Sequence, residues 1–416
     1  MSMSVRRRLC FWTVLVLIPL AFSVLADRAL RLWGFPGELP TQVSHPPRFH
    51  EIRRNVEFTY EFATNDRGLR YRNLPLEKPK GTYRVFVVGD SMTEGVGVAQ
   101  DERFSALLER RFTSKRPIEF INGGLGGTGV FEYGRLFLSW GVAYHVDALL
   151  IAVFANDVAN ADPDDRPEAL LLRREGDEFF GPKPERSFAK RVLHAVWPRI
   201  YTRLYQLKAA SERRSLTMTS DLVGTISAEA RRRGIPEAEI NIWKTRLPPD
   251  LVVSVNRQLM EADILSYGLL MPSHWTDSLD IDTPVAKARF RSMRAMLDRI
   301  VEEAKRREIE VALMYLPDRL QYDPRSHLGN PTELTGVRFR REWLAEDSTV
   351  QIELARWSRE RGIAFLDLTP IFRAWGGDRS TLTYRVDGHW TPAGHRVAAD
   401  AIGAWLQDGS IFHWAP

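Results

Sequence analysis

The chain of 416 residues contains one cysteine, Cys10. A single thiol closes no intrachain disulfide, and its position in an apolar amino-terminal stretch argues against thiol catalysis. Internal repeats and low-complexity tracts are absent. The glycine-rich run from Asn122 to Gly129 lacks the Gly-Lys-Ser/Thr ending of a phosphate loop. The histidines and acids show no metal-ligand spacing, and Asp162, Asp164 and Asp165 read as a solvated loop, so neither metal nor other cofactor is expected. A strong charge imbalance is missing too: the net charge is +5. No nucleic-acid motif accompanies it, which excludes nucleic acid as an expected partner. Arg231-Arg232-Arg233 and Lys305-Arg306-Arg307 read as solvated helix faces, with anionic lipid headgroups as the partner to consider if the domain is tethered.

One long apolar run is present. Arg6-Arg7-Arg8 precedes Leu9 to Ala26, a length near the lower end of the roughly 17–25 residues that span a bilayer. The arginines favour a cytoplasmic amino terminus, leaving the remainder outside. Val24-Leu25-Ala26 also has the small residues of a signal-peptidase site. Two expectations follow: a membrane anchor with the catalytic part facing the periplasm or exterior, which is preferred, or a secreted chain after signal cleavage.

With 44% hydrophobic and 27% charged residues, the rest can bury a large core. Residues 31–81 read as a proline-containing linker followed by a strand-like lead-in, Val56 to Phe62. From residue 82, candidate strands Arg84–Val88, Ile118–Ile121, Ala148–Phe154, Ile309–Leu316 and Ile363–Leu366 alternate with helix-forming segments. That alternation predicts a parallel sheet with right-handed crossovers. Thr283-Pro284 starts one covering helix, and Gly362 ends another that begins near Val350.

The alternation disappears over 161–282, which reads as a mostly helical insertion and candidate lid. Gly176-Asp177 predicts a turn there. Phe188, Val192, Leu193, Val196, Ile200, Leu204 and Leu207 trace an apolar stripe expected to pack on the sheet domain, interrupted at Pro198.

Four clusters carry chemistry. The apolar run Arg84 to Val88 ends in Gly89-Asp90-Ser91, placing a serine where a buried strand meets an open sheet edge. Ser91 is a candidate nucleophile that needs a base and oxyanion donors. The glycines of Asn122–Gly129 let backbone amides approach a ligand. Asn156-Asp157 follows the third strand and offers a side-chain NH2, and Asp387-Gly388-His389 precedes a helix capped by Thr391. Neutral His389 can accept a proton while Asp387 stabilises the imidazolium. Each of the last three clusters also has a plain structural reading, as a glycine turn, a strand terminator or a helix lead-in. His395, inside the helix, reads as a packing or supporting residue, as do Asp90 and Asp157.

Taken in order, these clusters resemble the blocks of the SGNH (GDSL-type) hydrolase superfamily, over about 82–160 and 285–407. The resemblance implies a flavodoxin-like three-layer α/β/α sandwich with a five-stranded parallel sheet of order 2-1-3-4-5, occupying 82–160 and 283–416. It further implies Ser91 as nucleophile, His389 as base, Asp387 as its partner, and an oxyanion hole from the amides of Ser91 and Gly127 and the Asn156 side chain. Two features depart from the family pattern: Phe154 stands where glycine is usual, and Asp387 precedes His389 by two positions rather than three. Asp-x-His-Trp sequences do occur in SGNH-like carbohydrate acyl-transfer proteins.

The expected function is therefore a serine-dependent carboxylic-ester hydrolase outside the cytoplasm, acting on acylated envelope glycan or another small ester. The alternatives are O-acyl transfer at the same site, a lipase or thioesterase, and a non-catalytic polysaccharide-binding protein.

Overall fold

The computed structural model describes residues 5–35, 37–113, 117–181, 188–217, 221–247, 249–257, 263–327, 340–407 and 410–414. The chain divides into two compact units. One comprises Met1–Thr41 and Glu178–Ser220, the other Gln42–Asp177 and Asp221–Pro416.

The larger unit includes the strands β1 (His50–Arg54), β2 (Thr59–Ala63), β3 (Tyr83–Gly89), β4 (Ile118–Gly124), β5 (Ala148–Phe154), β6 (Glu310–Leu316) and β7 (Ala364–Asp367). The last five form one parallel sheet in the order β4-β3-β5-β6-β7. Every residue of β3 and β5 is buried, as expected of apolar runs sandwiched on both faces. Val85 is the register pin, paired with Phe120 on one side and Ala148 on the other.

The chain first steps from β3 to β4 and then reverses across β3 to β5. With right-handed crossovers, that reversal places helices on both faces and opens a crevice at the carboxyl ends of β3 and β5. The sheet order and strand positions agree with the sequence reading. Thr283 caps Pro284–Lys305 by accepting from the Ala286 amide at 3.0 Å, and the helix Thr349–Arg361 ends at Gly362.

The lead-in differs from a linker. β1 pairs antiparallel with β2, from His50 opposite Ala63 to Arg54 opposite Thr59. The polar sequence His50-Glu51-Ile52-Arg53-Arg54 hides this strand from a hydrophobic-pattern reading. Residues from Gln42 onward and the later insertion helices belong to the sheet unit. Ile226, Ala230, Ile240, Trp243, Val255, Leu265 and Leu269 build a second core there, and Val386 packs against it.

In the smaller unit, a helix covers Val5–Ala29, and Trp12–Trp33 is long and apolar enough to cross a membrane. Helices Phe188–Val196 and Pro198–Thr217 accompany it, divided at Pro198 as its missing amide hydrogen requires. Within this unit the stripe on these helices is left largely uncovered. Phe188 is 75% exposed, Leu204 62% and Leu207 51%.

Arg231 and Arg233 pair with Glu237 and Glu229, while Arg306 and Arg307 pair with Glu303. Those basic runs are partly matched by glutamates.

Candidate active site

Strand β3 carries the chain to Gly89 at the carboxyl edge of the sheet. There Asp90 accepts from the Met92 amide at 2.9 Å and starts a single helical turn, Ser91–Glu94. Gly124, at the end of β4, lies so close to this turn that a Cβ on it would stand 2.1 Å from the Glu94 nitrogen. The glycine is thus a packing requirement of the serine turn. Beyond it, a Cβ on Gly126 would come 3.7 Å from Ser91 Cβ, which brings the glycine block alongside the candidate nucleophile. Gly127 has φ +72, a left-handed conformation that a side chain would strain.

The Asn156-Asp157 cluster joins the same edge. Asp157 accepts from the Phe154 amide at 2.9 Å and from Tyr133 Oη at 2.7 Å. Burial, with the nearby Asp90 carboxylate, pushes Asp157 well above the ordinary aspartate range. Asp90 is itself pushed up to about 6, burial outweighing the Met92 hydrogen bond and the charge of His389. The Asn156 side-chain oxygen is buried without a hydrogen-bond partner among the described residues.

Asp387, Gly388 and His389 form the tip of a tight reversal. Thr383 bridges Trp390, and Tyr384 and His389 are joined by a 2.8 Å bond from the Tyr384 amide to the His389 carbonyl. His389 Nδ1 is hydrogen-bonded to Asp387 Oδ1. The two-residue spacing therefore does bring carboxylate and imidazole together, because Gly388 (φ 85) folds the chain back between them. Burial raises the Asp387 pKa, but the charge and hydrogen bonds of His389 overcome it, and the net position lies below the usual aspartate value.

His395 is separate from this pair. It is buried and accepts from the Phe104 amide at 3.3 Å. Burial, reinforced by Arg103 and Arg70, lowers it to about 3 and keeps it neutral. It is a packing histidine, stacked on Phe104.

Several residues around the site had no sequence signal. Asn55 Nδ2 donates to Asp387 Oδ2 at 2.9 Å, and Glu57 accepts from the amides of Val386 and Asp387 at 2.8 and 2.7 Å. Both belong to the β1–β2 turn, which Asn55 closes by accepting from the Glu57 and Phe58 amides. Glu94, the last residue of the serine turn, is buried; its carboxylate meets His45 Nε2 at 2.5 Å, the Gly126 amide at 3.3 Å and Arg53 at 3.5 Å. Despite burial, His45 and Arg53 hold Glu94 below its ordinary pKa. Arg70 donates to the carbonyls of Glu94 and Gly95 at 3.0 and 2.5 Å, closing the other end of that turn. Glu94, three positions after Ser91, had the one legible hint: an acid on the same helical turn as the nucleophile.

Residues 275–414 match the family model described as "SGNH hydrolase-like domain, acetyltransferase AlgX". This span contains Asp387 and His389 but not Ser91. No curated protein matches the chain. Among solved structures, a GDSL-like lipase from Bacteroides thetaiotaomicron VPI-5482 is similar at 11% identity and TM-score 0.33, over 81% of this chain and 93% of that one. The psychrotrophic esterase EstA from Pseudoalteromonas sp. gives 12% and 0.33, over 78% and 98%. TesA gives 10% and 0.35, over 78% and 98%. Likenesses this distant carry no chemistry. The family match and the motifs point the same way: residues 275–414 are similar to an SGNH hydrolase-like domain.

Proposed function

We propose that the chain is a serine-dependent enzyme that forms an acyl-enzyme on Ser91 and releases the acyl group to water. The observation that carries this reading is the Asp387–His389 pair, whose imidazole charge acts on Asp90, the residue before Ser91. Ser91 Oγ attacks the ester carbonyl while His389 Nε2 takes its proton. Asp387, held ionised, steadies the imidazolium.

The tetrahedral oxyanion is received by the amides of Ser91 and Gly127 and by the Asn156 NH2. When the intermediate collapses, the alcohol departs with the proton from His389. Water then attacks the acyl-enzyme, His389 again serving as base, and the freed acid leaves Ser91 protonated. Every step of this cycle uses protein groups and water.

The second reading replaces water by a sugar hydroxyl. Its specific support is the acetyltransferase description of the model matching 275–414. For either reading we place the catalytic unit outside the cytoplasm, on a retained amino-terminal anchor, with acylated envelope glycan as the substrate class. An acetylated oligosaccharide incubated with and without an unacetylated acceptor separates the two. Acetate release independent of acceptor is expected; predominant acetyl movement to the acceptor overturns hydrolysis in favour of transfer.

A further inference from the structure

We propose that helices Phe188–Val196 and Pro198–Thr217 form an interfacial collar that lies on an anionic lipid surface, fixed in depth by the amino-terminal helix. The inference rests on the reading of that helix as a retained anchor, and it adds a second membrane element.

Three observations inside the smaller unit carry it. First, the two elements are joined at a defined level. Asp27, fully buried, accepts from the amides of Arg199 and Ile200 at 3.0 and 2.8 Å, capping the start of Pro198–Thr217. Trp197 Nε1 donates to Ser23 Oγ at 3.0 Å. These contacts sit at the carboxyl end of the apolar span, beside Arg28, Arg31 and Trp33, the residue types that mark a membrane–water boundary. The collar helix therefore begins where the anchor leaves hydrocarbon.

Second, the smaller unit leaves apolar side chains on both helices largely uncovered. Phe188, Val192 and Leu193 on one helix, and Leu204, Tyr205 and Leu207 on the other, are exposed. In water such faces are unfavourable; against acyl chains they are buried.

Third, the charge is one-sided. From Phe188 to Lys208 the chain has Lys190, Arg191, Arg199, Arg203 and Lys208 and no Asp or Glu. Of these, Arg199 pairs with the buried Asp27 at 3.8 Å. An apolar face with an excess of cations beside it is the pattern of a helix lying among anionic headgroups. Cleavage after Ala26 would remove Ser23 and place a charged amino group on Asp27, so the collar requires the uncleaved chain.

The test uses full-length protein in nanodiscs containing phosphatidylglycerol, with Cys10→Ser and one added cysteine carrying a polarity-sensitive fluorophore. The positions are Leu204→Cys, Leu207→Cys as its duplicate, Val16→Cys in the anchor and Thr245→Cys in the sheet unit. The collar predicts that labels at 204 and 207 are quenched by headgroup nitroxide lipids severalfold more than the label at 245, and are shielded from aqueous iodide. The label at 16 is quenched by nitroxides deep in the acyl region. Iodide access at 204 and 207 with deep quenching at 16 overturns the collar and leaves the anchor standing. A chain beginning at Asp27 with no quenching at 16 overturns the anchor and the collar together. Shielding at 204 that persists in neutral lipid, with crosslinks between labels of two chains, assigns the face to a second copy and overturns the lipid reading.

Discussion

Asn55 Nδ2 lies 2.9 Å from Asp387 Oδ2, so the carboxylate facing His389 through one oxygen is held through the other by a turn more than three hundred residues away in sequence. Asn55→Ala removes a hydrogen bond to a charged group, worth about 1.5–3 kcal/mol. Expressed in the transition state, that is a loss of roughly 10- to 100-fold in kcat with KM little changed. Steady-state kinetics on an aryl acetate checks the split; an equal rise in KM with unchanged kcat would place Asn55 in substrate binding instead.

Glu94 supplies a prediction on stability. Its buried carboxylate joins His45, Arg53 and the Gly126 amide, so Glu94→Ala leaves polar groups without their partner. Breaking a buried pair costs about 3–5 kcal/mol. Chemical denaturation should show that loss, with Glu94→Gln recovering part of it because an acceptor for Gly126 remains.

Gly124→Ala tests the close approach of β4 to the serine turn. The new Cβ would meet the Glu94 nitrogen at 2.1 Å, against backbone that has no side-chain freedom to yield. The variant is expected to lose activity by displacing Ser91, and esterase assay beside circular dichroism distinguishes that from unfolding.

Two aspartates respond to pH with opposite sign. Asp387 has a lowered folded pKa, so its contribution is present above the unfolded value near 4 and is lost as pH falls through the folded one. Asp90 is raised to about 6, so between about 4 and 6 the unfolded chain releases its proton first and stability falls as pH rises. Asp90→Asn keeps an acceptor for the Met92 amide and removes that decline. The Tm of the variant minus that of the wild type should grow from pH 4 to 6 and then level.

The sheet was legible because β3 and β5 are continuous apolar runs closed by small or polar residues, a pattern written locally in the chain. The Ser91, Asn156 and His389 clusters were legible for the same reason, each standing at a strand end or helix start. What supports them was not. Asn55, Glu57 and Arg53, in a hairpin whose first strand is polar and half exposed, and His45 ahead of it act through contacts remote in sequence.

The central claim is that Ser91 is an activated nucleophile. Full-length protein treated with a fluorophosphonate and analysed by peptide mass spectrometry tests it most directly. The account predicts one adduct, on Ser91, absent in Ser91→Ala and formed far more slowly in His389→Ala and Asp387→Asn. Folded wild-type protein that gains no adduct at Ser91, or labelling that His389→Ala leaves unchanged, would contradict it.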